Sequence, residues 1–180
     1  GSDGTLDNTS WVGKDDGLLV IDRDGNGTID NQSELFGTSE ADGFSVLGQY
    51  DSNDDGKINN QDAMWSQLKV WIDANSDGIS QASEMITLSA KGIKEINLAA
   101  HEVGYFIGDS FISHESTFTY NDGTTGEIVD AWFATENGGD TSVNVEGNVY
   151  DLPDNAPAGA VVGNLLANDA KSEDFNSTIT

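Results

Sequence analysis

The chain has 180 residues, enough for one ordinary domain or one domain and a fragment of a second. Seven Lys and Arg stand against 32 Asp and Glu, a formal net charge of −25, so DNA, RNA and anionic lipid repel it unless a cation intervenes; nucleic-acid binding is excluded. Cysteine is absent, which removes disulfides and thiolate metal sites, and the two histidines, His101 and His114, are too few and too separated for zinc or iron.

Along the chain, Gly1-Ser2 reads as an expression scar, with residues 1–10 as scar and leader. Gly17 to Ile21 reads as a short buried strand running into an acidic loop at Asp22. Phe44 to Tyr50 is compatible with a short helix entering a second acidic loop at Asp51, and helical spacing of Ala63, Met64 and Leu68 predicts a helix over residues 60–68. Lys69 to Ile72 is extended and leads to a third acidic loop at Asp73; Ser83 to Ala90 reads as helical, stopped by Gly92, and Lys94 to Ala99 alternates as a strand does. From Val103 the character is β, with Phe111 to Tyr120 and Gly126 to Phe133 flanking the turn signal Asn121-Asp122-Gly123. Glu136 to Thr141 is a run of turn formers, and beyond it Val143 to Tyr150 and Gly159 to Leu166 read as strands. The resulting expectation is an α+β fold: a module stapled by its acidic loops over residues 11–140, with short helices and an antiparallel β region, followed by extended strands over 141–180.

One spacing recurs three times. Asp22, Asp24 and Asn26 precede Gly27; Asp51, Asn53 and Asp55 precede Gly56; Asp73, Asn75 and Asp77 precede Gly78. Each loop sets oxygen-bearing side chains at positions 1, 3 and 5 and glycine at position 6. Calcium takes six to eight oxygens at about 2.3–2.6 Å, and the glycine permits the bend that turns the position-7 carbonyl inward, here from Thr28, Lys57 or Ile79. The distal acid expected at position 12 is Asp62 in the second loop and Glu84 in the third. In the first it is Glu34, one residue late, with Asp30 at position 9 to compensate. On this reading the second loop is the most regular. Three or more calcium ions serve as folding cofactors: with 36% hydrophobic residues the core is lean, and the clustered carboxylates repel one another until a cation binds.

The segments Trp11–Val20, Asp22–Asp30, Glu34–Gly37, Tyr50–Asn53, Leu68–Asp73 and Gly78–Gln81 resemble, in order, the calcium-dependent self-processing module of FrpC-type RTX proteins and related modules of large RTX adhesins. The resemblance implies a module that calcium folds and that cleaves an Asp-Pro bond at its own N-terminal edge. This sequence departs from that chemistry: its prolines, Pro153 and Pro157, follow Leu152 and Ala156, so it contains no Asp-Pro bond. Residues 148–180 resemble the opening strands of a cadherin-like repeat.

The remaining candidates have plainer readings. Trp65, Trp71, Trp132 and Trp11 read as core, His101 and His114 with neighbouring serines lack any triad context, and Asp109, Asp122, Asp130 and Asp140 read as solvated loop charges, with a further calcium site as the alternative for one or two of them. Together these point to a non-enzymatic, secreted or bacterial cell-surface calcium module of an adhesin. Its partners would be a peptide or glycan ligand and the neighbouring adhesin domains of its own chain, with no direct membrane insertion. The alternatives are a self-processing module whose scissile bond lies outside this sequence, or a purely structural extender.

Overall fold

The computed structural model describes residues 9–13, 15–37, 41–108 and 110–133, together with strand residues 140–145, 148–153, 158–162 and 177–179. In chain order the elements are β1 (Thr9–Trp11), β2 (Gly17–Ile21), α1 (Gly43–Leu47), β3 (Lys57–Asn59), β4 (Leu68–Trp71), β5 (Met85–Thr87) and β6 (Ile93–Asn97). They continue with β7 (His101–Ile107), β8 (Ser110–Tyr120), β9 (Thr125–Trp132), β10 (Asp140–Val145), β11 (Asn148–Pro153), β12 (Ala158–Val162) and β13 (Ser177–Ile179). Short 3-10 turns cover Gln32–Glu34, Gly48–Tyr50 and Trp65–Gln67.

Strand pairing among the described residues is antiparallel. The main sheet runs β3-β6-β8-β9-β12-β2-β4-β5, with β7 also on β8; β10-β11 and β1-β13 form separate two-stranded ribbons. β8 is the spine. Its first half pairs with β7, its last residues pair with β6, and its other edge pairs with β9. The hairpin between β8 and β9 turns at Asn121–Gly123, as its sequence predicts, with Gly123 at φ 87°.

The apolar run Gly17–Ile21 is buried at every position, because β2 carries core on both faces. Leu19 and Ile21 join one cluster with Phe36, Leu68, Val70 and Phe118. Leu18 and Val20 join the other with Ile29, Trp71, Ile112 and Phe133. Alternation of side chains along the strand divides the set this way. The first and third acidic loops begin where β2 and β4 end, so the core fixes the position of the first ligand in each.

The α+β expectation is overturned: the fold is mainly β. Among the described residues α1 is the one α-helix, and it has five residues. The segment expected as a helix over 60–68 is a turn and a 3-10 turn at Trp65–Gln67, and the one expected over 83–90 contains β5, which pairs with β4 through Lys69↔Thr87 and Trp71↔Met85. Segments this short sit below the length at which a helix nucleates alone, so tertiary pairing decides. The helix expected over 44–50 is present as α1 and the following 3-10 turn. The cadherin-like reading of 148–180 falls largely on residues outside the described set.

Candidate metal centre

The three acidic loops adopt one backbone plan. Position 4 is left-handed in each, at Gly25 (φ 72°), Asp54 (φ 54°) and Ser76 (φ 55°), and so is the position-6 glycine: Gly27 (φ 86°), Gly56 (φ 79°) and Gly78 (φ 69°). The position-1 carboxylate gathers the turn. Asp22 accepts from Gly25 N–H at 2.8 Å and Gly27 N–H at 3.0 Å. Asp51 accepts from Asp55 and Gly56 N–H at 3.2 and 2.8 Å, and Asp73 from Asp77 and Gly78 N–H at 3.1 and 2.8 Å. At position 5, Asn26, Asp55 and Asp77 each accept the position-7 N–H, from Thr28 at 2.7 Å, Lys57 at 3.0 Å and Ile79 at 2.8 Å. These bonds engage the N–H of position 7, so its carbonyl is the group it would offer a cation; in the third loop the Ile79 carbonyl also accepts the Gln81 N–H at 3.0 Å.

The distal acid closes the first and second loops. Asp62 accepts from Ser52 N–H and Asn59 N–H, both at 2.8 Å, tying position 12 to positions 2 and 9. Glu34 makes the same tie in the first loop, accepting from Arg23 N–H at 3.2 Å and Asp30 N–H at 2.9 Å, despite arriving one residue late. The 3-10 turn Gln32–Glu34, capped by Asn31, absorbs the extra residue and buries the Glu34 side chain. In the third loop Glu84 accepts from Gln81 N–H at a longer 3.4 Å. Asp30 faces positions 5 and 7, with its carboxylate 3.0 Å from Asn26 Nδ2.

The sequence ranks the second loop as the most regular; the structure draws the carboxylates closest in the first. Asp22, Asp24 and Glu34 place oxygens within 4.8 Å of one another, and could hold a metal ion. The second and third loops have Asn53 and Asn75 at position 3, each donating to the position-5 carboxylate, to Asp55 at 3.1 Å and to Asp77 at 2.8 Å. Asp77 is held below the usual carboxylate range by the Ile79 N–H, against a smaller opposing effect of burial and with help from Gln81 and Asn75. An all-oxygen donor set of carboxylates, amides and carbonyls fits a hard divalent cation, and calcium better than magnesium, which keeps its waters. Lys57 offers its backbone only, since its ammonium pairs with Glu95 at 2.9 Å.

Beside the second loop lies a cleft of about 290 Å³, bounded by Asn59, Asn60, Gln61, Trp65, Lys94 and Asn121 among others. The tryptophans read as core are buried where their side chains are described, at Trp65, Trp71 and Trp132. The histidines form no triad among the described residues. His114 Nδ1 lies 3.0 Å from Ser113 Oγ, but that hydroxyl donates to Asp130 at 2.6 Å, so the acid holds the serine and not the imidazole. Of the four acids read as solvated loop charges, Asp122 is exposed at the β8–β9 turn, while Asp109 and the side chain of Asp140 lie outside the described residues. Asp130 departs from that reading and is fully buried in β9. Its sequence signal was its place in the run Ile128-Val129-Asp130-Ala131-Trp132, a strand that is otherwise apolar.

Residues 1–134 match the SPM domain family. The chain is also 44% identical over 138 residues to the iron-regulated protein FrpA of Neisseria meningitidis serogroup C, covering 72% of this chain and 12% of that much longer protein. The ordered loop motifs, the shared backbone plan and the extent of this match agree, and the chain belongs to the SPM domain family.

Proposed function

We propose that this chain is a calcium-loaded module of a large secreted or cell-surface RTX protein, stabilised by its ions and acting without catalysis as an adhesion or spacing unit. The observation that carries the reading is the threefold loop plan, in which Asp22, Asp51 and Asp73 each gather two N–H groups of their own turn and Glu34 and Asp62 close their loops alike. Asp22, Asp24, Asn26, Thr28, Asp30 and Glu34 would hold the first ion; Asp51, Asn53, Asp55, Lys57 and Asp62 the second; Asp73, Asn75, Asp77, Ile79 and Glu84 the third. The carbonyl serves at Thr28, Lys57 and Ile79. Bound calcium would supply charge neutralisation to a chain of net charge −25. A peptide or glycan ligand is best accommodated by the amide-rich cleft beside the second loop.

A calcium titration by calorimetry, with melting curves in calcium and in EGTA, tests this. Stoichiometric uptake near three ions and a large rise in Tm are expected; an unchanged Tm in EGTA sinks it. Family membership favours a second reading, self-processing at an Asp-Pro bond that this sequence does not contain. A longer segment of the parent protein that begins upstream of such a bond would then split on addition of calcium, seen as two bands on a gel. An intact band in calcium rejects it.

A further inference from the structure

The first and third loops touch through one hydroxyl. Ile29 N–H donates to Ser80 Oγ at 2.6 Å, and Ser80 Oγ donates to the Ile29 carbonyl at 3.4 Å, across 51 residues of chain. Both residues are buried, and each is position 8 of its loop. The third loop lacks the aliphatic residue found at Ile29 and Ile58 because its position 8 serves a different contact, in which Ser80 satisfies both backbone groups of Ile29. The contact is backed by apolar packing, since Ile29 shares a core cluster with Trp71, the last residue of the strand that delivers the third loop. β2 and β4, which lead into the two loops, are hydrogen-bonded neighbours. The second loop lies elsewhere. Its position 8, Ile58, sits in the edge strand β3 and pairs with Ile96.

We propose that the first and third loops bind metal as one coupled pair joined by the Ser80 bridge to Ile29, while the second loop fills independently. The proposal rests on the calcium reading of the loops given above. Thr28 and Ile79, the position-7 residues whose carbonyls would face the ions, are the immediate neighbours of Ile29 and Ser80. An ion that fixes Thr28 therefore fixes Ile29 and, through the hydroxyl, Ser80 and Ile79. Part of the ordering cost of the other loop of the pair is then already met when its own ion arrives.

The test is a calcium titration of the full chain followed by NMR at the three loop glycine amides, Gly27, Gly56 and Gly78. In the unmodified chain Gly27 and Gly78 should report one shared, sigmoidal transition, with Gly56 following a separate curve. Ser80→Ala should split the shared transition and weaken its midpoint by at least about fivefold, leaving Gly56 in place, and Ser80→Thr should restore it. A second variant, Asp51→Ala, should abolish the Gly56 response and leave the Gly27 and Gly78 transition shared. Separate Gly27 and Gly78 curves in the unmodified chain, a single curve for all three, or an unchanged pair in Ser80→Ala would each overturn the coupling. Absence of any calcium response at all three glycines would instead sink the calcium reading itself.

Discussion

The Asp130 carboxylate accepts the Gly43 N–H at 3.1 Å, joining the centre of β9 to the first turn of α1 across 87 residues of chain. Asp130 has no exposed surface, and it also accepts from Ser113 Oγ at 2.6 Å and Trp132 Nε1 at 3.3 Å. Burial pushes its carboxyl up to about 6; the bonds from Ser113 and Gly43 pull back, nearby Asp42 adds to the rise, and His114 opposes it. The folded value lies above the ordinary 3.8, so the folded chain binds the extra proton between those limits. This contribution to stability is complete below about 3.8 and is lost as pH rises through about 6. Asp130→Asn keeps the shape and removes the titration. Measured at fixed free calcium, the stability of the variant relative to the parent should rise from pH 4 to pH 7 by something on the order of 2–3 kcal/mol. A difference that stays constant across that range would show that burial does not govern this carboxyl.

Glu34 holds together the loop that the sequence pattern ranks lower. It accepts from Arg23, Asp30 and Asn31 N–H, at 3.2, 2.9 and 3.4 Å, and is fully buried. Glu34→Ala leaves three backbone donors without their acceptor, so a loss of about 2–4 kcal/mol is expected even in EGTA. Asp51→Ala removes an acceptor of two N–H groups that is itself partly exposed, where Glu34 is buried, and should cost less under the same metal-free conditions. Denaturant melts of the two variants in chelator give the comparison, and an equal or reversed order would contradict the tie that Glu34 makes.

The left-handed residue at position 4 differs among the loops. Gly25 adopts φ 72° without strain, whereas Asp54 and Ser76 hold φ 54° and 55° with a side chain present. Ser has little intrinsic preference for this region, so Ser76→Gly should stabilise the chain by about 0.5–1 kcal/mol. Gly25→Ala should destabilise it by about 1 kcal/mol through backbone strain alone, because a methyl there meets nothing within 4 Å. Thermal melts in saturating calcium read both, and effects of the same sign would refute the strain argument.

The loops were legible because their chemistry is local: side chains at positions 1, 3, 5 and 12 and a glycine at position 6 state their own geometry. So were β2, whose Gly17–Ile21 run is apolar throughout, and the β8–β9 hairpin, whose Asp122-Gly123 pair sits between alternating strands. Met85–Thr87 was not, since its three residues become a strand only by meeting Lys69–Trp71, and no local pattern records that partner. Asp130 and Ser80 were missed for a related reason. Each is a polar residue whose burial is compensated by a backbone N–H from a distant segment, a partner that no local pattern records.

Gly126 and Phe118 face each other in the register of β8 and β9, and the ring lies over the glycine. A Cβ built on Gly126 would stand 2.2 Å from Phe118 Cζ and 2.6 Å from Cε1. Phe118 cannot easily yield, because it is buried in the same core cluster as Ile93, Ile96 and Ile128 and makes an edge contact with Tyr120. Gly126→Ala should therefore cost about 1–3 kcal/mol by overpacking, in spite of alanine's lower chain entropy in the unfolded state. Phe118→Leu in the same chain should relieve the clash, so the double variant should lose less stability than the sum of the single ones. Additive losses in a double-mutant cycle would mean that the ring has another place to go.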